Sequence, residues 1–111
     1  MNSAETLKLN KDFRRLYYRG RSAVARTVVV YVQKNRIQRN RIGLTCGKAV
    51  GKAVARNRAK RLMRESFRAL SPEMKKGHDI VIIARTAICG KRCGEVLKDL
   101  RFAMEKLEMF L

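Results

Sequence analysis

An α+β fold, with a small central β-sheet and about three helices packed on it, follows from three observations in this sequence. Residues 48–68, KAVGKAVARNRAKRLMRESFR, read as one helix with a heavily cationic flank. The stretches 25–33, 41–46 and 79–85 are rich in β-branched and other apolar residues and read as strands. The C-terminal stretch repeats apolar residues at helical spacing. At 111 residues the chain is expected to be a single domain, 1–111, with room for one modest core.

LKLNKDFRRLYYRGR gives a short first helix, with Asn10 as its N-cap and Gly20 ending it. ARTVVVYVQ, residues 25–33, is the first strand. KNRIQRN is a polar connection, and RIGLTC, residues 41–46, is the expected return strand of a hairpin. Lys48 to Lys52 form a Gly-containing basic loop that enters the long helix. That helix runs to about Leu70, where Ser71 and Pro72 stop it. GHDIVIIAR supplies a buried strand at 79–85. After TAICGKRCG comes the last helix, with Val96, Leu100, Ala103, Met104, Leu107 and Phe110 on one stripe.

The long helix divides sharply by face. At roughly 100° per residue, Arg56, Lys60, Arg64 and Arg68 stack along one ridge, with Asn57 and Arg61 beside them. The opposite arc holds Ala55, Ala59, Leu62, Met63, Phe67 and Leu70 and is expected to enter the core. Only Glu65 offsets the ridge, one turn after Arg61, where the two can pair. Like charges at i, i+4 destabilise an isolated helix by a few tenths of a kcal/mol per pair, so a polyanion outside the fold is the natural counterpart.

Lys and Arg number 27 against 9 Asp and Glu, for a net charge of +18 and a pI near 11.0. The charge is lopsided: residues 1–68 hold 19 Lys/Arg and 3 Asp/Glu, whereas residues 69–111 hold 8 and 6. A basic surface confined to one part of the chain points to nucleic acid rather than to a general solubilising coat. The N-terminal MNSAETLKLNKDF lacks an apolar signal region, and no apolar run approaches the roughly 18 residues of a membrane span. A soluble, cytoplasmic protein with no membrane partner is expected. Cys46, Cys89 and Cys93 are odd in number and match no common zinc spacing with His78, so reduced bystander thiols are expected and no metal site.

The chain offers little for catalysis. The basic half contains three acids, Glu5, Asp12 and Glu65, far apart in sequence; His78 is the only histidine, and no phosphate-cradling glycine loop is present. Binding features are richer. Phe13, Tyr17, Tyr18 and Tyr31 form an aromatic cluster: Phe13 and Tyr17 share a helix face at i, i+4, and Tyr31 can meet them from a strand, with Arg14, Arg15 and Arg19 at the border. Such rings suit stacked single-stranded bases, at about 1–3 kcal/mol each, although helical aromatic stripes more often serve as core anchors.

Three segments together resemble the protein subunit of bacterial ribonuclease P: NKDFRRLYYRG at 10–20, RIGLTCGKAVGKAVARNRAKRLMRESFR at 41–68 with its Arg-Asn-Arg at 56–58, and GHDIVIIAR at 77–85. The resemblance implies a ribosomal protein S5 domain 2-like fold with a left-handed βαβ crossover around the signature helix. It implies a partner RNA that carries the chemistry, cleaving precursor tRNA at the mature 5′ end with Mg²⁺ held through the RNA. One protein per RNA is expected, with no catalytic residue and no tightly bound cofactor of its own. Carried over, Lys48, Lys52, Arg56, Asn57, Arg58, Lys60, Arg61, Arg64 and Arg68 would meet the RNA subunit, and Phe13, Arg14, Tyr17 and Tyr31 the 5′ leader of precursor tRNA. Ala49, Ala59, Cys46 and Gly47 depart from the family pattern without removing a residue that this reading needs. A ribosomal or general RNA-binding protein, a DNA-compacting protein and a peripheral membrane binder are the competing readings; only the 41–68 signature argues against the first.

Overall fold

The structure is a computed structural model that describes residues 5–111. Five strands form one mixed sheet in the order β1-β4-β5-β3-β2. The strands are β1 (Glu5–Thr6), β2 (Arg21–Val24), β3 (Val28–Lys34), β4 (Arg41–Thr45) and β5 (His78–Ala84). The helices are α1 (Asn10–Arg19), α2 (Ala53–Leu70) and α3 (Cys93–Lys106). The expected helices and strands are all present; strand ends are displaced by up to three residues, whereas α2 begins at Ala53 rather than at residue 48 and α3 ends at Lys106, leaving Phe110 beyond the helix in a bridge to Met74.

Three expectations need correction. The strands 25–33 and 41–46 do not form a hairpin: β5 lies between β3 and β4. β3 instead pairs antiparallel with β2, and β4 runs parallel to β5, the two joined through α2 as a βαβ crossover. The connection at 35–40 produces this placement. Asn40 donates to the Lys75 carbonyl and accepts from the His78 N–H at 2.9 Å, while Asn35 donates to Asp79 at 3.0 Å. Those bonds fold the connection over the start of β5 and deliver β4 to its far side.

The second correction concerns Asn10, which is the first helical residue; Leu9, in extended conformation, is the N-cap and no side chain caps the helix. Gly20 does end α1, but for want of space rather than for backbone freedom. A Cβ there would sit 2.6 Å from the Leu16 carbonyl oxygen and 2.9 Å from that of Val32. Third, among the described residues no ion pair joins Glu65 to Arg61.

The alternation of each strand sorts its side chains between two cores. Val28, Val30, Val32, Ile80 and Ile82 face α2 and α3, where Leu62, Met63, Phe67, Leu70, Val96, Leu100 and Met104 complete the larger core. All the arc residues expected on α2 are buried except Ala55, and Ser66 joins them against Cys93 of α3. On the other face, Leu7, Leu16 and Val81 form a small core with Phe13, Tyr31 and Ile83 packed around it. α1 lies across this second face.

Asp79 holds α1 to the sheet. Its side chain is wholly buried and takes Arg41 Nε and Nη2 at 2.8 and 2.7 Å, Arg15 Nη2 at 2.8 Å and Asn35 Nδ2 at 3.0 Å. Burial works to raise its pKa, but the bonds from Arg41 and Asn35 and the charges of Arg41 and Arg15 prevail, and the net shift is downward. His78, on the opposite face, is buried and held below its usual pKa by desolvation and then by nearby Lys34 and Arg21.

Candidate nucleic-acid interface

Two surfaces gather the residues expected to bind RNA. The first is the outer face of α2 with the turn before it. Lys48 opens a 3₁₀ turn, Lys48–Val50, and Lys52 is the N-cap of α2. Gly51 between them has φ +146°, a conformation side chains rarely adopt, so glycine is needed where the basic turn becomes the helix. Lys48, Lys52, Asn57, Arg61, Arg64 and Arg68 are exposed, while Arg56 and Lys60 are half-buried along the same flank. Among the described residues none of these cations is in an ion pair; the acids pair elsewhere, Asp12 and Asp79 with Arg15, Glu5 with Arg39 and Glu73 with Arg101. The face is therefore an uncompensated rail of positive charge.

Arg58 has a task inside the protein. Its guanidinium donates to the Lys91 carbonyl at 2.7 Å, tying α2 to the segment before α3. Sequence spacing could not disclose this, because the partner is a backbone oxygen 33 residues away. Cys46 lies close enough to Arg56 and Lys60 to feel their charge, yet burial prevails and pushes its thiol pKa up, away from a reactive thiolate.

The second surface is a cleft of about 450 Å³ between α1 and the end of β4, lined by Asn10, Phe13, Arg14, Tyr17, Leu44 and Thr45. Gly43, Val81 and Tyr31 are lateral neighbours across β4, β5 and β3. Phe13 lies over Gly43, where an added Cβ would come within 2.6 Å of the ring. Tyr17 meets Tyr31 edge-on, with centroids 5.1 Å apart and planes at 69°. Tyr17 remains 42% exposed, so its ring is both packed and available; Phe13 and Tyr31 are half-buried, and Arg14 is exposed. Both expected roles of these aromatics, anchor and platform, are thus compatible with one arrangement. Tyr18, by contrast, points out of the cleft and is 90% exposed.

Comparison with known proteins decides the family. The profile of the family Ribonuclease P matches residues 1–108. The ribonuclease P protein component of Clostridium acetobutylicum is 47% identical over 102 residues, covering 90% of this chain and 86% of that one. This chain belongs to the ribonuclease P protein family. The Staphylococcus aureus RNase P protein superposes with a TM-score of 0.88 at 32% identity, covering 98% of this chain and 100% of that one. The Thermotoga maritima RNase P protein does so with a TM-score of 0.80 at 32% identity, covering 88% and 93%. The chain is accordingly the protein subunit of an endoribonuclease that works with ribonuclease P RNA.

Among the described residues no three His, Cys, Asp or Glu converge as a metal site. Asp79 and Asp12 are engaged by arginine, and Asp99 by Thr27. No buried side-chain nitrogen or oxygen among the described residues lacks a partner that a ligand would have to supply. No helix is long and apolar enough to cross a membrane.

Proposed function

We propose that residues 1–111 act as a single RNA-binding domain, one copy per catalytic RNA, that holds both the RNA subunit and the 5′ leader of precursor tRNA. The observation that carries this reading is the asymmetry of α2, a core helix on one side and an unpaired cationic rail on the other. Lys48, Lys52, Arg56, Asn57, Lys60, Arg61, Arg64 and Arg68 contact the RNA subunit, with arginine favoured for bidentate grips on phosphate. Arg58 contributes through the position it gives α2. Phe13, Arg14, Tyr17 and Tyr31 receive the leader, the rings stacking bases and Arg14 meeting phosphate.

In this account the RNA carries the chemistry, and Mg²⁺ held through the RNA would supply charge stabilisation at the scissile phosphate. The protein orients the leader beside the scissile phosphate, which converts loose encounter into a positioned substrate. Its cations also neutralise RNA phosphates that would otherwise need additional Mg²⁺, so folding and binding persist at modest ion concentration. Processing of tRNA places the protein in the cytoplasm. Competition tests the leader half of the reading. Precursor tRNA should displace labelled precursor from the holoenzyme better than mature tRNA does, and the advantage should shrink with Tyr17→Ala. Equal competition by both RNAs would refute it.

A further inference from the structure

We infer that a second nucleotide pocket lies at the turn between β2 and β3 and takes a base and phosphate of the same single strand, farther along than the α1–β4 cleft. The inference rests on the leader reading above. The row of sheet residues next to the Tyr31 row lies at the margin of α1, with Ile83 packed on the small core and the row opening toward β2. Thr45, Ile83, Val29 and Val24 are lateral neighbours across β4, β5, β3 and β2. Thr45, Ile83 and Val29 are half-buried, and Val24 at the edge strand is 56% exposed. Thr45 lines the cleft already described, whereas Val24 lines a separate cavity of about 390 Å³. The row is thus a partly exposed, largely apolar floor between two cavities, roughly 14 Å long at the spacing of neighbouring strands.

The far cavity is bordered by Arg26, Arg85, Lys98, Asp99 and Phe102 besides Val24. Phe102 projects from α3 at 49% exposure and takes no part in either core, so packing does not explain the ring. Lys106 Nζ lies 5.4 Å from its centroid, adding a further positive charge to the same wall. Asp99, the one acid present, is occupied: its Oδ2 accepts from the Thr27 N–H at 3.0 Å and the Thr27 hydroxyl at 2.7 Å. Arg85 Nη1 donates to the Ala25 carbonyl at 2.8 Å. These three bonds brace the turn, so the walls are preformed. Among the described residues Arg26 and Lys98 are in no ion pair. One available ring, two unpaired cations and a fixed turn at the end of an apolar floor suit a stacked base with its phosphate. An acidic peptide would use the cations but leave the ring and the floor without a role.

The test uses the holoenzyme and three labelled RNAs: mature tRNA, precursor with a short leader that reaches only the cleft, and precursor with a long leader. Phe102→Ala should weaken long-leader binding by roughly five- to tenfold, the lower end of one lost base–aromatic stack, and leave the other two RNAs unchanged. Arg26→Ala should reduce the salt slope for the long leader by roughly 0.7, the share of one single-strand phosphate. Unchanged long-leader binding in both variants overturns the pocket, as does an equal loss for short and long leaders. If the unaltered protein holds neither leader better than mature tRNA, the leader reading itself fails and the pocket with it.

Discussion

Replacing Asp79 with asparagine removes the negative charge that three side chains converge on, while keeping the volume. The carboxylate is wholly buried, and Arg41 and Arg15 approach it with side chains only 30% and 31% exposed. Asparagine cannot accept from both arginines and from Asn35 without a misplaced amide, so two cations lose their counter-charge. Breaking a buried pair from one side costs about 3–5 kcal/mol. Arg15 keeps Asp12 at 3.1 Å and Gln33 at 3.1 Å, and both arginines reach some solvent, so the low end, about 3 kcal/mol, is expected. That is a large share of the roughly 5–15 kcal/mol by which such domains are stable. Urea unfolding followed by circular dichroism at pH 7 should show the difference in midpoint with little change in slope. Acid supplies the second readout. Because the native pKa of Asp79 is lowered, its contribution is fully present above the ordinary aspartate value of about 3.9 and is lost as pH falls through the native value. The gap between the two proteins should therefore begin to close below about pH 4 and vanish only once the pH lies below the lowered native value. A gap under about 1 kcal/mol at neutral pH, or one that persists unchanged into strong acid, would refute this account of how α1 is held.

Other substitutions separate binding from folding. Arg64→Ala should leave stability within about 0.5 kcal/mol and lower the salt slope of assembly with ribonuclease P RNA by roughly 0.7–0.9; Arg58→Ala should cost about 1 kcal/mol of stability even without RNA, through the lost bond to Lys91, as urea unfolding will report. Tyr17→Ala should diminish the preference for precursor over mature tRNA while leaving assembly nearly intact, measured by competition and by RNA-subunit titration respectively. Gly43→Ala would drive a methyl to 2.6 Å from the Phe13 ring; a destabilisation of about 1–3 kcal/mol with weakened leader discrimination is expected, and unchanged leader binding would show that the ring position is immaterial.

Which features the sequence disclosed follows from how far each depends on local pattern. α2 and α3 declare themselves through periodicity sustained over several turns, and β3 and β5 through unbroken apolar runs. β1 spans two residues and β2 four, too short to carry a period, and both were missed. The apparent hairpin failed for a tertiary reason. A seven-residue polar connection looks like a reversal, and only the bonds of Asn35 and Asn40 to the start of β5 send β4 elsewhere. The cationic rail was legible because charge and helical spacing are both written in the chain. The internal role of Arg58 and the sheet row leading to Phe102 were not, since each joins residues far apart in sequence. Asp79 gave no signal of its own: one acid at the head of an apolar strand discloses nothing until Arg15 and Arg41 arrive from two other elements.

The most direct test of the central claim is 5′ processing of precursor tRNA by a bacterial ribonuclease P RNA at low-millimolar Mg²⁺, with and without this protein. The account predicts cleavage at the mature 5′ end when both are present, little from the RNA alone at that ion concentration, and none from the protein alone. Cleavage by the protein alone would contradict the placement of chemistry in the RNA. Tight RNA binding with no gain in processing would contradict the role assigned to the rail and the cleft.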